Sequence, residues 1–186
     1  MSRDRAIEVL EADRALTGRQ LYVYHGIHPK LLTNLGRRDV TLAPRKNWSG
    51  APITARFYGL NQRDLDRLHP AACGHYAGIA GLRHRLQVGP ASWHHLRAGG
   101  QDRIRGLEPG CVPDAWYQGA GGRVAVEYDT GTYSMGLVEE KMLEYQQDYS
   151  LIVWGATSDI RRARLKSLAS ELYVRASVMD ATWWTA

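Results

Sequence analysis

Residues 112–149, VPDAWYQGAGGRVAVEYDTGTYSMGLVEEKMLEYQQDY, decide how the second half of this 186-residue chain folds. Pro113 and Asp114 open a short strand, the glycines at 119, 121 and 122 make a turn, and residues 123–130 read as a second strand. The period there is two: Val124, Val126 and Tyr128 share one side, while Ala125, Glu127 and Asp129 share the other. Two carboxylates on one face of an apolar strand repel each other and resist burial, so they need a cationic partner or an ion. Asp114, just after a proline in the preceding strand, is placed to become the third acid. Three acids converging at the end of a hairpin make an oxygen-rich site for a hard divalent cation, magnesium or manganese. The alternative is ordinary ion pairing with nearby arginines such as Arg123.

A helix begins near Ser134 and carries Lys141 beside the stripe Val138, Met142, Tyr145. Its ammonium either reaches the acids, placing positive charge where a reaction develops negative charge, or snorkels at the helix edge. Working outward, residues 151–154 form a buried strand, Ser158 caps a helix over 158–172, and residues 172–178 form the last strand. On the upstream side Trp93 sits in a strand over 92–96, and the glycine-rich run 98–110 has no GK[ST] and no following helix, so it is not a phosphate-cradling loop. Strands and helices mixed in this order predict a mixed α/β or α+β domain over residues 89–186. Its tail, DATWWTA, holds two tryptophans expected to pack on their own domain.

The N-terminal third has a different pattern. Ser2 caps a helix with Ala6, Val9, Leu10 and Asp13 or Leu16 on one stripe, and Thr17 caps a second, short helix ending near Gly26. His28 and Pro29 open a third over 28–38, with Leu31, Leu32 and Leu35 inward. Two β segments follow, 40–44 and 53–60, joined by a basic loop, and a helix over 61–70 closes the unit with Leu60, Leu65 and Leu68 inward. Three helices and a basic-tipped hairpin give the order of a winged helix-turn-helix, residues 1–70. In that design Lys30, Thr33, Asn34, Arg37 and Arg38 face DNA from the third helix, with Arg19 nearby and Arg45, Lys46 and Asn47 on the wing. Residues 71–88 hold helical spacing but three glycines, which predicts a connecting helix packed closely against a neighbour.

Charge agrees with this division. Residues 1–70 hold 12 Lys and Arg against 7 Asp and Glu, while the rest holds 12 against 12, so the net charge of +5 belongs to the first third. Clustered cations of this kind are the footprint of a phosphate backbone. No apolar run reaches the ~20 residues of a membrane span, which makes the cytoplasm the expected compartment. Cys73 and Cys111 form no CxxC pair, and the histidines at 69, 75, 84, 94 and 95 match no metal geometry.

Pro-Asp, a hairpin turn, an apolar strand with Glu-x-Asp before Gly-Thr, and a helix with Lys and Tyr resemble the core of the plasmid replication-relaxation family. That family is similar to the restriction-endonuclease-like, or PD-(D/E)xK, nucleases and sets a winged helix before the nuclease-like domain. The resemblance implies that Asp114 and Glu127 are metal-binding acids; Asp129 stands where the nuclease lysine belongs, and Lys141 is the substitute. Implied, then, is a double-stranded-DNA-binding protein of a plasmid, phage or integrative element, acting in replication, DNA relaxation or transcription control, alone or as a homodimer. Full catalysis is not expected of it, and then no cofactor. The alternatives are a magnesium- or manganese-dependent nickase using Asp114, Glu127, Asp129 and Lys141, and a protein-interaction module.

Overall fold

The computed structural model describes residues 3–28, 30, 32–95 and 112–185. Ser2, Pro29, Leu31, Leu96, the glycine-rich run 98–110 and Cys111, all singled out above, lie outside the described residues. Among the described residues, six α-helices and two sheets make a mixed α and β protein in two compact units. One unit runs to Ala91 and takes in the C-terminal residues from Thr182; the other is Ser92–Ala181. Among the described residues, no helix is long and apolar enough to cross a membrane.

The first unit begins with α1 (Arg3–Asp13), whose buried stripe is Ala6, Val9, Leu10 and Asp13. Strand β1 (Leu16–Thr17) leads into α2 (Gly18–His25). Thr17 and Gln20 close a capping box at its start. Gly26 ends the helix at φ +63°, a left-handed conformation that favours glycine, and donates to the Tyr22 carbonyl. Strands β2 (Gly36–Leu42) and β3 (Ile53–Gly59) pair antiparallel, and the sheet order is β1-β3-β2. Helices α3 (Gln62–Arg67) and α4 (Pro70–Arg85) complete the unit.

Three expectations change here. Among the described residues the third helix expected over 28–38 does not form: Thr33 and Asn34 lie in a turn, and residues 36–38 already belong to β2, with Arg37 opposite Tyr58 and Arg38 opposite Phe57. Tertiary pairing overrides the leucine spacing, and Gly36 fixes the entry. A Cβ there would lie 2.4 Å from the Asn61 carbonyl oxygen, so the strand runs against the start of α3 in a way a helix could not. Leu32 still reaches the core, from a turn. The helix expected as a connector, α4, is built into the first unit: at Gly74 a Cβ would meet Leu42 at 2.6 Å and Trp183 at 3.4 Å. The tail also belongs to this unit, where Trp183 is buried against Phe57 and Trp184 meets Trp48 edge-on.

In the second unit β4 (Trp93–His95), β5 (Ala115–Gly119) and β6 (Gly122–Asp129) form an antiparallel meander. Helix α5 (Met135–Asp148) returns the chain to β7 (Leu151–Ala156), and α6 (Asp159–Glu171) returns it to β8 (Ala176–Asp180), both parallel to their neighbours. Ser134 and Ser158 cap the two helices as read from sequence. Val138, Met142 and Tyr145 of α5 share one core with Leu165 and Ala169 of α6, packed on Ala125, Ile152, Trp154 and Ala156. Both crossovers thus cover the sheet face that bears Glu127 and Asp129.

Candidate functional site

Strand alternation on β6 puts Ala125, Glu127 and Asp129 under α5 and α6, and both carboxylates are completely buried. A charge taken out of water in this way persists only if paired and hydrogen-bonded. Helical spacing supplies the partner. Val138, Lys141, Met142 and Tyr145 are the buried residues of α5, at i, i+3, i+4 and i+7, so Lys141 points at the sheet. Only 5% exposed, it donates from Nζ to Glu127 Oε1. Its ammonium also lies 4.5 Å from the centre of the Tyr133 ring and 5.9 Å from that of Tyr145. The Tyr145 hydroxyl donates to Glu127 Oε2 at 3.1 Å.

Asp129 is held separately. Arg161 of α6 donates through Nε to its Oδ2 at 2.7 Å, and the Gly131 amide donates to its Oδ1 at 2.5 Å. The rest of that guanidinium is engaged by the Tyr133 carbonyl at 3.0 Å and by Met135 Sδ at 3.0 Å. Asp114, half-buried, accepts the Tyr128 amide at 2.8 Å. The ladder pairs Ala115 with Val126, so one step further Asp114 comes level with Glu127. Burial pushes the Tyr133 and Tyr145 phenols well above their ordinary range, and the charges of Glu127 and Asp114 push them further. Both phenols therefore remain neutral hydrogen-bond donors at any physiological pH.

The structure thus brings Asp114, Glu127 and Lys141 together with two tyrosines, but it turns Asp129 to Arg161. Glu127 is matched by Lys141 and Tyr145, not by the Arg123 considered from sequence, which lies over Tyr149. Asp114 and Glu127 stand beside Lys141 while Asp129 is paired with Arg161, and among the described residues no group of three or more His, Cys, Asp or Glu is arranged to hold a metal ion. Two members of this cluster, Arg161 and Tyr133, gave no signal in the sequence, because their pairings are set by how α6 and the β6–α5 loop meet the sheet.

The other candidate residues are in the first unit. Arg19 is exposed on α2, and Lys30, Thr33 and Asn34 are exposed between α2 and β2. Arg37 is exposed on β2, and Lys46 and Asn47 are exposed in the β2–β3 loop. Arg45 lies over Trp48, 5.2 Å from the ring centre. Arg38, expected to face DNA, turns inward instead: its Nη1 donates to the Leu68 carbonyl at 2.7 Å and to those of Leu65 and Asp66 at 3.3 Å, tying down the end of α3.

The first unit also holds a buried ionic cluster that sequence reasoning missed. Arg83 of α4 grips Asp13 of α1 with Nε and Nη2, the first at 2.7 Å, and gives Nη1 to the Val88 carbonyl at 2.9 Å. His25 Nε2 lies 3.9 Å from Asp13 and has no hydrogen-bond partner. Burial, with Arg83, His84 and Arg5 near it, pulls the His25 pKa down to about 4. The signal was present: a carboxylate on the apolar stripe of α1 demands a buried cation.

No family model matches this chain, and neither does any curated protein or solved structure.

Proposed function

We propose that this chain is a double-stranded-DNA-binding protein whose first unit is a winged helix and whose second unit is a restriction-endonuclease-like fold without full catalysis. One observation carries the reading: the order α1, β1, α2, β2, β3 with sheet order β1-β3-β2, bearing exposed Arg19, Lys30, Arg37 and Lys46. Of the exposed carboxylates on this side, Asp39 is paired with Arg56 at 2.7 Å, and Asp66 accepts from Gln62, which also donates to the Arg37 carbonyl. Such a surface offers a phosphate backbone several cations. In the second unit, an antiparallel meander followed by parallel crossovers supports the nuclease-like reading. Its acids are matched internally by Lys141, Tyr145 and Arg161, which favours a fold retained without chemistry. The resemblance suggests a role on a plasmid, phage or integrative element, in replication, DNA relaxation or transcription control.

Binding of a mixed-sequence 20-base-pair duplex, followed by fluorescence anisotropy from 50 to 300 mM salt, tests the reading. Affinity falling steeply with salt is expected; no binding at 50 mM refutes it.

A second reading, a metal-dependent endonuclease, is favoured by one specific contact. Lys141 reaches Glu127 with Asp114 alongside, so an acid–acid–lysine set assembles although the lysine comes from a helix. Supercoiled plasmid incubated with Mg²⁺ or Mn²⁺ separates the two. Intact plasmid is expected; nicking that disappears in Asp114→Ala establishes the nuclease.

A further inference from the structure

Among the described residues no α-helix stands between α2 and β2, yet α2 shows an uncovered face. Arg19, Tyr22, Val23 and Gly26, at i, i+3, i+4 and i+7, are all exposed. Tyr22 is 58% exposed and Val23 54%, two large apolar side chains on a helix of eight residues. The opposite face is fixed: Leu21 is in the core, and Gln20 donates to the Ala77 carbonyl of α4 at 2.8 Å. Capped at both ends, this helix holds its outer stripe in one orientation before any ligand arrives.

Charge identifies the occupant. From Arg14 to Arg38 the sequence contains no Asp or Glu, and the nearest acid before it, Asp13, is buried in its pair with Arg83. An apolar pair flanked by Arg19 and Lys30 suits a ligand with phosphates outside and methyl groups within. That is the major groove of DNA, which admits an α-helix and displays the thymine C5-methyl.

We propose that α2 is the helix that enters the major groove, with Val23 and Tyr22 against thymine methyl groups and Arg19 and Lys30 on the flanking phosphates. This rests on the DNA-binding reading above. A helix of this length, roughly 12 Å, spans about three to four base pairs.

The test begins with a duplex selected by the full-length chain from a pool carrying 20 random base pairs. Anisotropy then compares it with the same duplex carrying uracil for thymine, which removes only the methyl groups. Wild type is expected to lose about fivefold on uracil DNA. The double variant Tyr22→Ala, Val23→Ala should lose about tenfold on thymine DNA and nothing further on uracil DNA. Both positions are solvent-exposed, and an unchanged thermal transition confirms the fold. A double variant that binds like wild type overturns the inference and leaves DNA binding intact, as does a wild type indifferent to the methyl groups. If the pool yields no duplex and none is bound at low salt, the DNA reading itself fails, and this inference with it.

Discussion

The two units handle charge in opposite ways. In the first, cations point outward from α2, the segment before β2, and the β2–β3 loop, while Asp13 with Arg83, and Arg38 on the end of α3, are turned inward. In the second, the acids point inward from β6 and are met there by Lys141 and Arg161. Exposed cations cost the fold little and stay accessible from solvent. Buried acids have found their partners within the chain, so they report first on stability and only then on chemistry.

Breaking the inward pairs gives the largest effect. Lys141→Met leaves Glu127 buried without its cation, and Arg161→Met does the same to Asp129; each should destabilise the second unit by about 3 to 5 kcal/mol in urea unfolding. Glu127→Leu combined with Lys141→Met removes both charges and should recover most of that loss. Recovery marks the pair as structural and sharpens the contrast between the units. A Lys141→Met protein of wild-type stability, by contrast, would point to a site held in readiness for a ligand.

The second effect tests the buried charge of the first unit through pH. His25 has a folded pKa near 4 against an ordinary 6.5, so its neutral form is the one the fold favours. As pH falls through 6.5 the unfolded chain takes up a proton that the native His25 refuses, and stability drops until pH reaches about 4. Asp13 opposes this, because burial raises its pKa and protonation relieves it at low pH. The difference between wild type and His25→Gln isolates the histidine. Between pH 7 and 4, wild type should lose on the order of 2 to 3 kcal/mol more than the variant. Parallel pH profiles would show that the His25 environment is not dry.

Much of the second unit was legible because local and tertiary signals agreed there. The alternation of residues 124–129, the turn glycines and the caps Ser134 and Ser158 all point to one arrangement. Lys141 was found as a candidate since it falls on the α5 stripe, but its choice between site and edge depended on where that stripe lands. In the first unit Thr17 and Gly26 were readable for the same reason. Residues 28–38 misled: Leu32 and Leu35 have helical spacing, yet a turn serves them equally, and the pairing of β2 with β3 lies beyond a local window. Arg161 with Asp129, 32 positions apart, and Arg83 with Asp13, 70 apart, are contacts between elements that no spacing rule reaches.

Arg37 and Arg38 test the outward charges against a neighbour that faces inward. They are adjacent on β2, but one is exposed and the other ties the carbonyls at the end of α3. Arg37→Ala combined with Lys46→Ala should weaken binding to every duplex and lower the slope of log K against log salt by about 1.8, with no change in thermal stability. Arg38→Ala should do the reverse, leaving the slope within error and lowering the unfolding midpoint. Equal slopes for all the proteins would remove these cations from the interface.

The smallest effect comes from Asp39, whose pair with Arg56 lies exposed on both sides: the side chains keep 53% and 56% of their accessible surface. Solvent and salt screen such a pair, so Asp39→Ala should leave the unfolding midpoint unchanged. Its consequence is expected in binding instead. Arg56 is held against Asp39 by two hydrogen bonds, and removing the carboxylate releases one more cation onto the β2–β3 hairpin. If that hairpin meets DNA, the salt slope steepens by up to about 0.9 and affinity rises at low salt. An unaltered slope would place the hairpin away from the phosphates and leave α2 and the segment after it as the whole of the basic surface in contact.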